Sequence, residues 1–396
     1  MNPKFGFKQL VLCLAIILAG YVAYLYFQPV PVVNPVKAIT SVPQTQAPVL
    51  PWPAGGQAAI GAAGYGLLST HNDNSPVPVA SIAKIITALA ILQKKPLVTG
   101  DSGPVITFSD SDVALYNDYL SKGGSVAAVS AGEQLSELQA LQAMLVPSAN
   151  NMADSLAIWA FGSVQNYIVY ANSMVKSLGL RSTTVGGASG FDDKTTSTAA
   201  DLVYLGIQAL NQPAIAATVS KTSAQLPVAG NVSNTNWLLG QDGVVGVKTG
   251  NTDKAGGCYL FASKQNISGR QITLIGAILN QPVLSDAISA APALIDASAG
   301  NFEPETLIHK GQQYAVYKTP WGASSNAVAE KDVSLLAWKG RIVNVINRAQ
   351  PLTAPVKQNG KVGDVAAAYG HEGGTSELVL SNPLPGPSWH WRLFRH

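Results

Sequence analysis

Residues 76–92 read PVPVASIAKIITALAIL, a proline-punctuated lead running into an alanine-rich apolar stretch. Prolines at 76 and 78 push their neighbours out of the α region, so the lead is extended. From Ile82 to Leu92 the apolar residues are too continuous for a surface helix, and a buried helix is expected. Its opening carries Ser81 and, three positions on, Lys84. Residues three apart share a helix face, so the amine reaches the hydroxyl. Ser81 then stands at a helix N-terminus, where backbone N–H groups favour developing negative charge. A lysine that is desolvated, or placed beside another cation, loses its proton readily and serves as a base.

Outward from that helix the chain changes texture twice. Upstream, residues 57–70 read as a strand, with a polar turn at 71–74 and a returning run at 75–79. Glycines at 61, 64 and 66 lack the helix start and distant acid of a nucleotide loop and read as strand glycines. Downstream, helical patterns fill about 110–212, among them 135–145, 152–161 and 164–178. A β pattern resumes at Gly243, with 258–262 and 272–279 apolar, before a last helix at about 285–298. Strand material therefore brackets a helical insert in an α+β arrangement. After Asn301, short runs punctuated by Lys310-Gly311, Trp321-Gly322, Lys339-Gly340, Asn359-Gly360 and Gly373-Gly374 read as a small all-β domain. The final residues, WHWRLFRH at 389–396, set aromatics beside arginines, which suits a membrane interface or packing on the β domain.

Charge is scarce: 12% of the 396 residues are charged and 47% are hydrophobic, against roughly 25% charged in an ordinary soluble domain. Disorder is thereby excluded as the overall state. The net charge of +3 comes from 25 basic and 22 acidic residues without a run of five like charges, so nucleic acid is not an expected partner. Residues 10–27, LVLCLAIILAGYVAYLYF, carry no charge and follow Lys4 and Lys8. As a helix they span roughly 27 Å, enough for the hydrocarbon core. The run exceeds a signal-peptide core of about 7–15 residues and no clean A-x-A site closes it, so an uncleaved anchor is expected, with cleavage and secretion as the alternative. By the positive-inside rule everything after Phe27 lies outside the cytoplasm. Seven prolines between 28 and 53 make the next segment an extended, semi-rigid linker.

Cys13 falls inside the membrane run, so no disulfide with Cys258 is expected. His71, His309, His371, His390 and His396 have no ligand spacing, which leaves a zinc site or a Ser/His/Asp triad without a source. No metal or cofactor is expected, and the chemistry falls to a serine and a lysine. Ser-x-x-Lys alone is weakly specific, since Ser173-Met174-Val175-Lys176 repeats it on an ordinary amphipathic pattern. A second element, Ser148-Ala149-Asn150, lies in a loop between two helical segments and has a look-alike in Ser324-Ser325-Asn326. The third, Lys248-Thr249-Gly250, occurs once, at a strand start. Order, spacing and context together carry the weight.

With these motifs in this order, the sequence resembles the serine D-Ala-D-Ala carboxypeptidases, the low-molecular-mass penicillin-binding proteins with the serine β-lactamase type of fold. The likeness runs from about residue 57 to the C-terminus through PVPVASIAKIITALAIL, LQAMLVPSANNMADSLA, SGFDDKTTSTAADL and GVVGVKTGNTDKAGGCYLFAS. It implies an antiparallel sheet flanked by helices with an all-helical insert, followed by a small all-β domain. The organisation expected is an anchor at 1–27, a linker at 28–53, a D,D-peptidase catalytic domain at 54–300 and a C-terminal β domain at 301–396. By the same resemblance Ser81 is the nucleophile, Lys84 its base, Ser148 a proton shuttle and Asn150 a ligand of the substrate amide. Lys248 and Thr249 bind the terminal carboxylate, Gly250 continues that strand edge, and the N–H of Asn251 joins that of Ser81 as an oxyanion donor. Arg270 matches a position that assists carboxylate recognition, with a solvated strand residue as the alternative. The implied partners are a peptidoglycan stem peptide as substrate and β-lactams as covalent inhibitors.

Two departures stand out. Asn151 replaces the acid that many relatives carry after the asparagine, a change expected to bear on local packing. Residues 180–201 contain no glutamate, only Asp192, Asp193 and Asp201, so efficient β-lactam hydrolysis is not expected, and Thr198 to Asp201 reads as a helix capping box. The alternatives are a D,D-endopeptidase, transpeptidase or β-lactamase on the same site, and a non-catalytic cell-wall binding protein.

Overall fold

The computed structural model describes residues 6–38, 46–72, 75–341 and 343–395, so Lys4, Pro43, the 73–74 half of the polar turn and His396 lie outside the described residues. Seven helices matter below: α1 (Phe7–Phe27), α2 (Ala83–Lys94), α3 (Asp110–Ser121), α4 (Glu137–Leu145), α5 (Asn150–Phe161), α6 (Val164–Ser177) and α7 (Ala199–Leu210). The chain divides into two units, Ala47–Glu303 and Met1–Gln46 with Pro304–His396.

In the first unit, five antiparallel strands stand in the order Val244–Thr252, Gly256–Ile267, Arg270–Gln281, Gln57–Ala62, Gly66–His71. Helix α7 lies across one face, and the helices Leu284–Ser289 and Ala291–Ala299 pack on the same central strands. Coverage by helices explains why the 258–262 and 272–279 runs are continuously apolar rather than alternating. Close approach of α7 requires glycine at two points: a Cβ on Gly61 would stand 2.5 Å from Val203, and one on Gly206 would stand 2.7 Å from Ile275.

The helical insert supplies the other layer. Every residue of α2 from Ala83 to Leu92 is buried, against α4, α5, α6 and α7. Local sequence sets the boundaries. Ser136 and Gln139 exchange bonds at the start of α4, in a capping box. Ser163 caps α6, and Gly162 in a left-handed conformation ends α5.

Several expectations change. The 57–70 run is not one strand but a hairpin, because Gly64 and Gly66 take positive φ (80° and 73°) and reverse the chain. The 75–79 run does not return along it; Val77–Pro78 pairs instead with Thr196–Ser197. The last helix of this unit is two, broken where Pro292 opens the second. At α7, Thr198 Oγ1 accepts from Asp201 N, but the Asp201 carboxylate accepts from Ser182 N and Thr183 Oγ1, so only half of the expected box forms.

The second unit holds a six-stranded antiparallel sheet in the order Pro35–Lys37, Gln313–Lys318, Ser324–Ala329, Glu372–Leu380, Lys361–Tyr369, Asn344–Ala349. Within the segment expected to be linker, Pro35–Lys37 thus supplies an edge strand, and Val33 is buried and bridges Leu352. Proline is tolerated there because an edge strand keeps one side free of ladder bonds. Helix α1 is 21 residues long with a mean hydropathy of 2.4, long and apolar enough to cross a membrane. The C-terminal residues form a helix, Trp389–Phe394, against its end. There Arg392 donates to Tyr26 O, and Arg395 to Pro29 O, Leu25 O and Gln28 Oε1. These guanidinium groups satisfy carbonyls that a helix terminus leaves open.

Candidate active site

Ser81 is the middle residue of a 3-10 turn, Ala80–Ile82, that runs directly into α2. Its neighbours are buried while Ser81 itself is partly exposed. Ala80 has φ +47°, a left-handed conformation that alanine avoids. Gly190, at φ +72°, lies against it: a Cβ there would stand 2.0 Å from Ala80 O. The turn that presents the serine is therefore held from outside, by a glycine in the 189–202 string.

Lys84 is completely buried. Its Nζ donates to Ser81 Oγ at 2.8 Å, to Asn150 Oδ1 at 2.7 Å and to the Ser189 carbonyl at 2.9 Å. Burial, and then the charge of Lys248, hold this amine well below the ordinary lysine range, while Asp154 opposes them. An ammonium donates three hydrogen bonds and a neutral amine two, leaving one lone pair. With Asn150 and Ser189 taking two, the lone pair of the neutral amine faces Ser81 Oγ. That is the geometry a general base needs.

Ser148 is buried, with φ +65°, in the short connection from α4 to α5. Asn150 opens α5; its N–H donates to Ser125 O, and its Oδ1 is taken by Lys84. Asn151 binds Ala127 with both ends of its side chain, accepting from the N–H at 3.1 Å and donating to the carbonyl at 2.9 Å. The amide at this position therefore fastens the loop after α3, where a carboxylate would have no hydrogen to give that carbonyl.

Lys248 and Thr249 are buried on the Val244–Thr252 strand at the edge of the sheet. An edge strand offers unpaired backbone groups to an extended peptide. Lys248 Nζ donates to Thr249 O at 3.1 Å, and burial pulls its pKa down to about 7. Thr249 Oγ1 lies 2.5 Å from Thr235 Oγ1. A Cβ on Gly250 would stand 3.0 Å from Ser81 N, so the missing side chain lets this strand pass beside the Ser81 amide. Asn251 follows, exposed and paired with Gly257.

The structure thus gathers Ser81, Lys84 and Asn150 by direct hydrogen bonds and brings Gly250 against Ser81. Lys248 is near enough to act on Lys84 through its charge. It does not bring Arg270 to them. Arg270 pairs with Ile267 at the far hairpin tip, whereas Lys248 lies level with Leu260 and Ala277. Seven residues of strand separate those levels, about 23 Å. Arg270 is exposed at that tip. The repeated Ser-x-x-Lys is also set aside, since Ser173 and Lys176 are exposed on α6, and Ser324–Asn326 lies within a strand of the other unit.

The sequence reading missed Ser189, Tyr119, Asp154 and Thr235. Ser189 acts through its carbonyl, which no side-chain pattern reveals. Asp154 had a signal: it follows Asn150 by four positions and so shares its face of α5.

A buried lysine hydrogen-bonded to a serine at a helix start, beside a lysine-bearing sheet edge, defines the active-site-serine class of acyl-transferring peptidases. Comparison with known proteins places the chain within it. The family Peptidase S11, D-alanyl-D-alanine carboxypeptidase, matches residues 53–282. D-alanyl-D-alanine carboxypeptidase DacF of Bacillus subtilis is 23% identical over 311 residues, covering 75% of this chain and 77% of that protein. DacA of Escherichia coli, with the same description, is 26% identical over 309 residues, covering 76% and 75%. Among solved structures, a peptidoglycan synthesis regulatory factor (PBP3) from Streptococcus pneumoniae shares the fold with a TM-score of 0.60 at 21% identity, covering 84% of this chain and all of that one. The chain belongs to the D-alanyl-D-alanine carboxypeptidase family, serine peptidases of the low-molecular-mass penicillin-binding type.

Proposed function

We propose that this protein is a membrane-anchored carboxypeptidase that removes the terminal D-alanine from peptidoglycan pentapeptide stems, outside the cytoplasm, through an acyl-enzyme on Ser81. The observation that carries this reading is the contact of the buried Lys84 amine with Ser81 Oγ at 2.8 Å. Neutral Lys84 takes the Ser81 proton as Oγ attacks the penultimate carbonyl. The tetrahedral oxygen is met by the N–H groups of Ser81 and Asn251, each donor contributing about 3 kcal/mol by the usual measure. Ser148 passes the proton to the departing D-alanine amine, and Asn150 keeps Lys84 aimed. Protonated Lys248, with Thr249, receives the free carboxylate, which selects a C-terminal residue over an internal one. Water then releases the shortened stem.

β-Lactams would acylate the same serine and leave slowly. Of the acids in 180–201, Asp193 accepts from Thr252 Oγ1, Asp201 is committed to Ser182 and Thr183, and Asp192 pairs with Lys194 at 3.5 Å. No glutamate stands among them to activate a deacylating water. Retention of the anchor is supported by Arg392, in the Trp389–Phe394 helix, and Arg395, just after it, which bind the carbonyl end of α1. The test is mass spectrometry of a synthetic pentapeptide ending in D-Ala-D-Ala, incubated with the full chain in detergent. Loss of one alanine is expected; an unchanged peptide, or a joined one, would overturn the reading in favour of a binding protein or a transpeptidase.

A further inference from the structure

Beneath Lys84 lies a second polar cluster that the reaction sequence above does not use. Tyr119, on α3, donates its hydroxyl proton to Asp154 Oδ2 at 2.7 Å, and the same hydroxyl lies 3.3 Å from Ser189 Oγ. Ser189 Oγ also accepts from Phe191 N, and the Tyr119 ring meets Phe191 edge-on at 5.5 Å. The carbonyl of this same Ser189 is an acceptor of the Lys84 amine. Asp154 stands one turn after Asn150, which supplies another acceptor. Lys84 is thus held by two groups, Asn150 and Ser189, and both connect to Asp154, one through the α5 backbone and the other through Tyr119.

We propose that Asp154 and Tyr119 are positioning residues for the general base: Tyr119 fixes the Ser189 segment under Lys84, and the Asp154 carboxylate supplies the negative charge that balances Lys84 against Lys248. The inference rests on Lys84 being the base. Asp154 has no cation bonded to it among the described residues. Burial raises its carboxyl pKa, while the Tyr119 hydrogen bond and Lys84 lower it. The charged and titratable groups that face it are Tyr119 and Asp118 from α3, Lys84 from α2 and Asp192 from the 189–193 loop. Those acting on Lys84 are Lys248 and Asp154, of opposite effect.

The signs separate positioning from mere structure. Removing the Asp154 charge lowers the Lys84 pKa further, so the ascending limb of acylation rate against pH moves to lower pH. Misaiming the amine lowers the plateau, by about tenfold to a hundredfold for sub-ångström displacements of this kind. The experiment measures second-order acylation of the full chain by a fluorescent penicillin from pH 4 to 9 for wild type, Asp154→Asn and Tyr119→Phe. Asp154→Asn is expected to shift the limb to lower pH and lower the plateau. Tyr119→Phe, which keeps both ring and carboxylate, is expected to lower the plateau while moving the limb less than Asp154→Asn does. Unchanged limb and plateau in Asp154→Asn would overturn the proposal. So would a plateau loss in Tyr119→Phe matched by the same loss of folded protein in melting curves. Should Asp154→Asn fail to fold, Tyr119→Phe decides. Wild-type protein that takes no label at all would instead overturn the reading of Ser81 and Lys84.

Discussion

Lys84→Ala is expected to reduce the rate of Ser81 acylation by on the order of 10⁶-fold, the loss typical when one member of a nucleophile and base unit is removed. Among the described residues no other base is hydrogen-bonded to Ser81. The described histidines stand outside the hydrogen bonds around Ser81, and Lys176 is exposed on α6. The truncation also leaves Asn150 Oδ1 and the Ser189 carbonyl without the amine that both accept from. Each buried acceptor so abandoned costs about 1–3 kcal/mol, offset in part because the cost of burying an amine disappears with it. Lys84→Met, which keeps the volume, controls for packing. Because serine and lysine act as one unit, adding Lys84→Ala to a Ser81→Ala background should lower D-alanine release no further. Rates that multiply across the two variants would argue for independent roles.

Lys248→Ala is the second large effect, and it falls on kcat/KM for substrates with a free carboxylate. Truncating one partner of a buried charge pair costs roughly 2–5 kcal/mol, about 30- to 4000-fold. A substrate amidated at its C-terminus should lose much less. The pH profile supplies a sharper sign. Burial sets Lys248 at about pKa 7, so the wild-type kcat/KM should fall as pH rises through that value and the amine loses its proton. In the variant that descending limb disappears. The ascending limb moves to higher pH, because the charge that depressed Lys84 is gone. Profiles measured on carboxylate and amide substrates check both limbs, and a descending limb that persists in Lys248→Ala would assign it to another group.

Much of this site was legible because its chemistry is local. Ser81 and Lys84 lie within one helical turn, and the burial that depresses Lys84 is foreshadowed by the largely apolar run from Ile82 to Leu92. The strand at Lys248 was legible as a strand, while its place at the sheet edge came only from the family resemblance. What was not legible is what tertiary packing decides. Ser189 contributes a carbonyl, and only the fold brings it under Lys84. Arg270 matched a family position by resemblance alone, yet it lies two strands from Lys248, at the tip of a hairpin whose 12-residue arm places it seven residues from the Lys248 level. The segment after α1 showed its prolines but not its pairing, since three residues, Pro35–Lys37, are too short for a period and take their strand from a partner in residues 313–318. Gly64 and Gly66 read as strand glycines because they lack the surroundings of a nucleotide loop; their positive φ is a property of the hairpin.

The central claim is that the acyl group is carried by Ser81. Incubating the full chain with benzylpenicillin, digesting it, and mapping the adduct by mass spectrometry tests that claim most directly. The adduct is expected on the peptide containing Ser81 and Lys84, and is expected to vanish in Ser81→Ala while Ser173→Ala leaves it untouched. An adduct mapped to Ser148 or Ser173, or one that survives Ser81→Ala, would contradict the account.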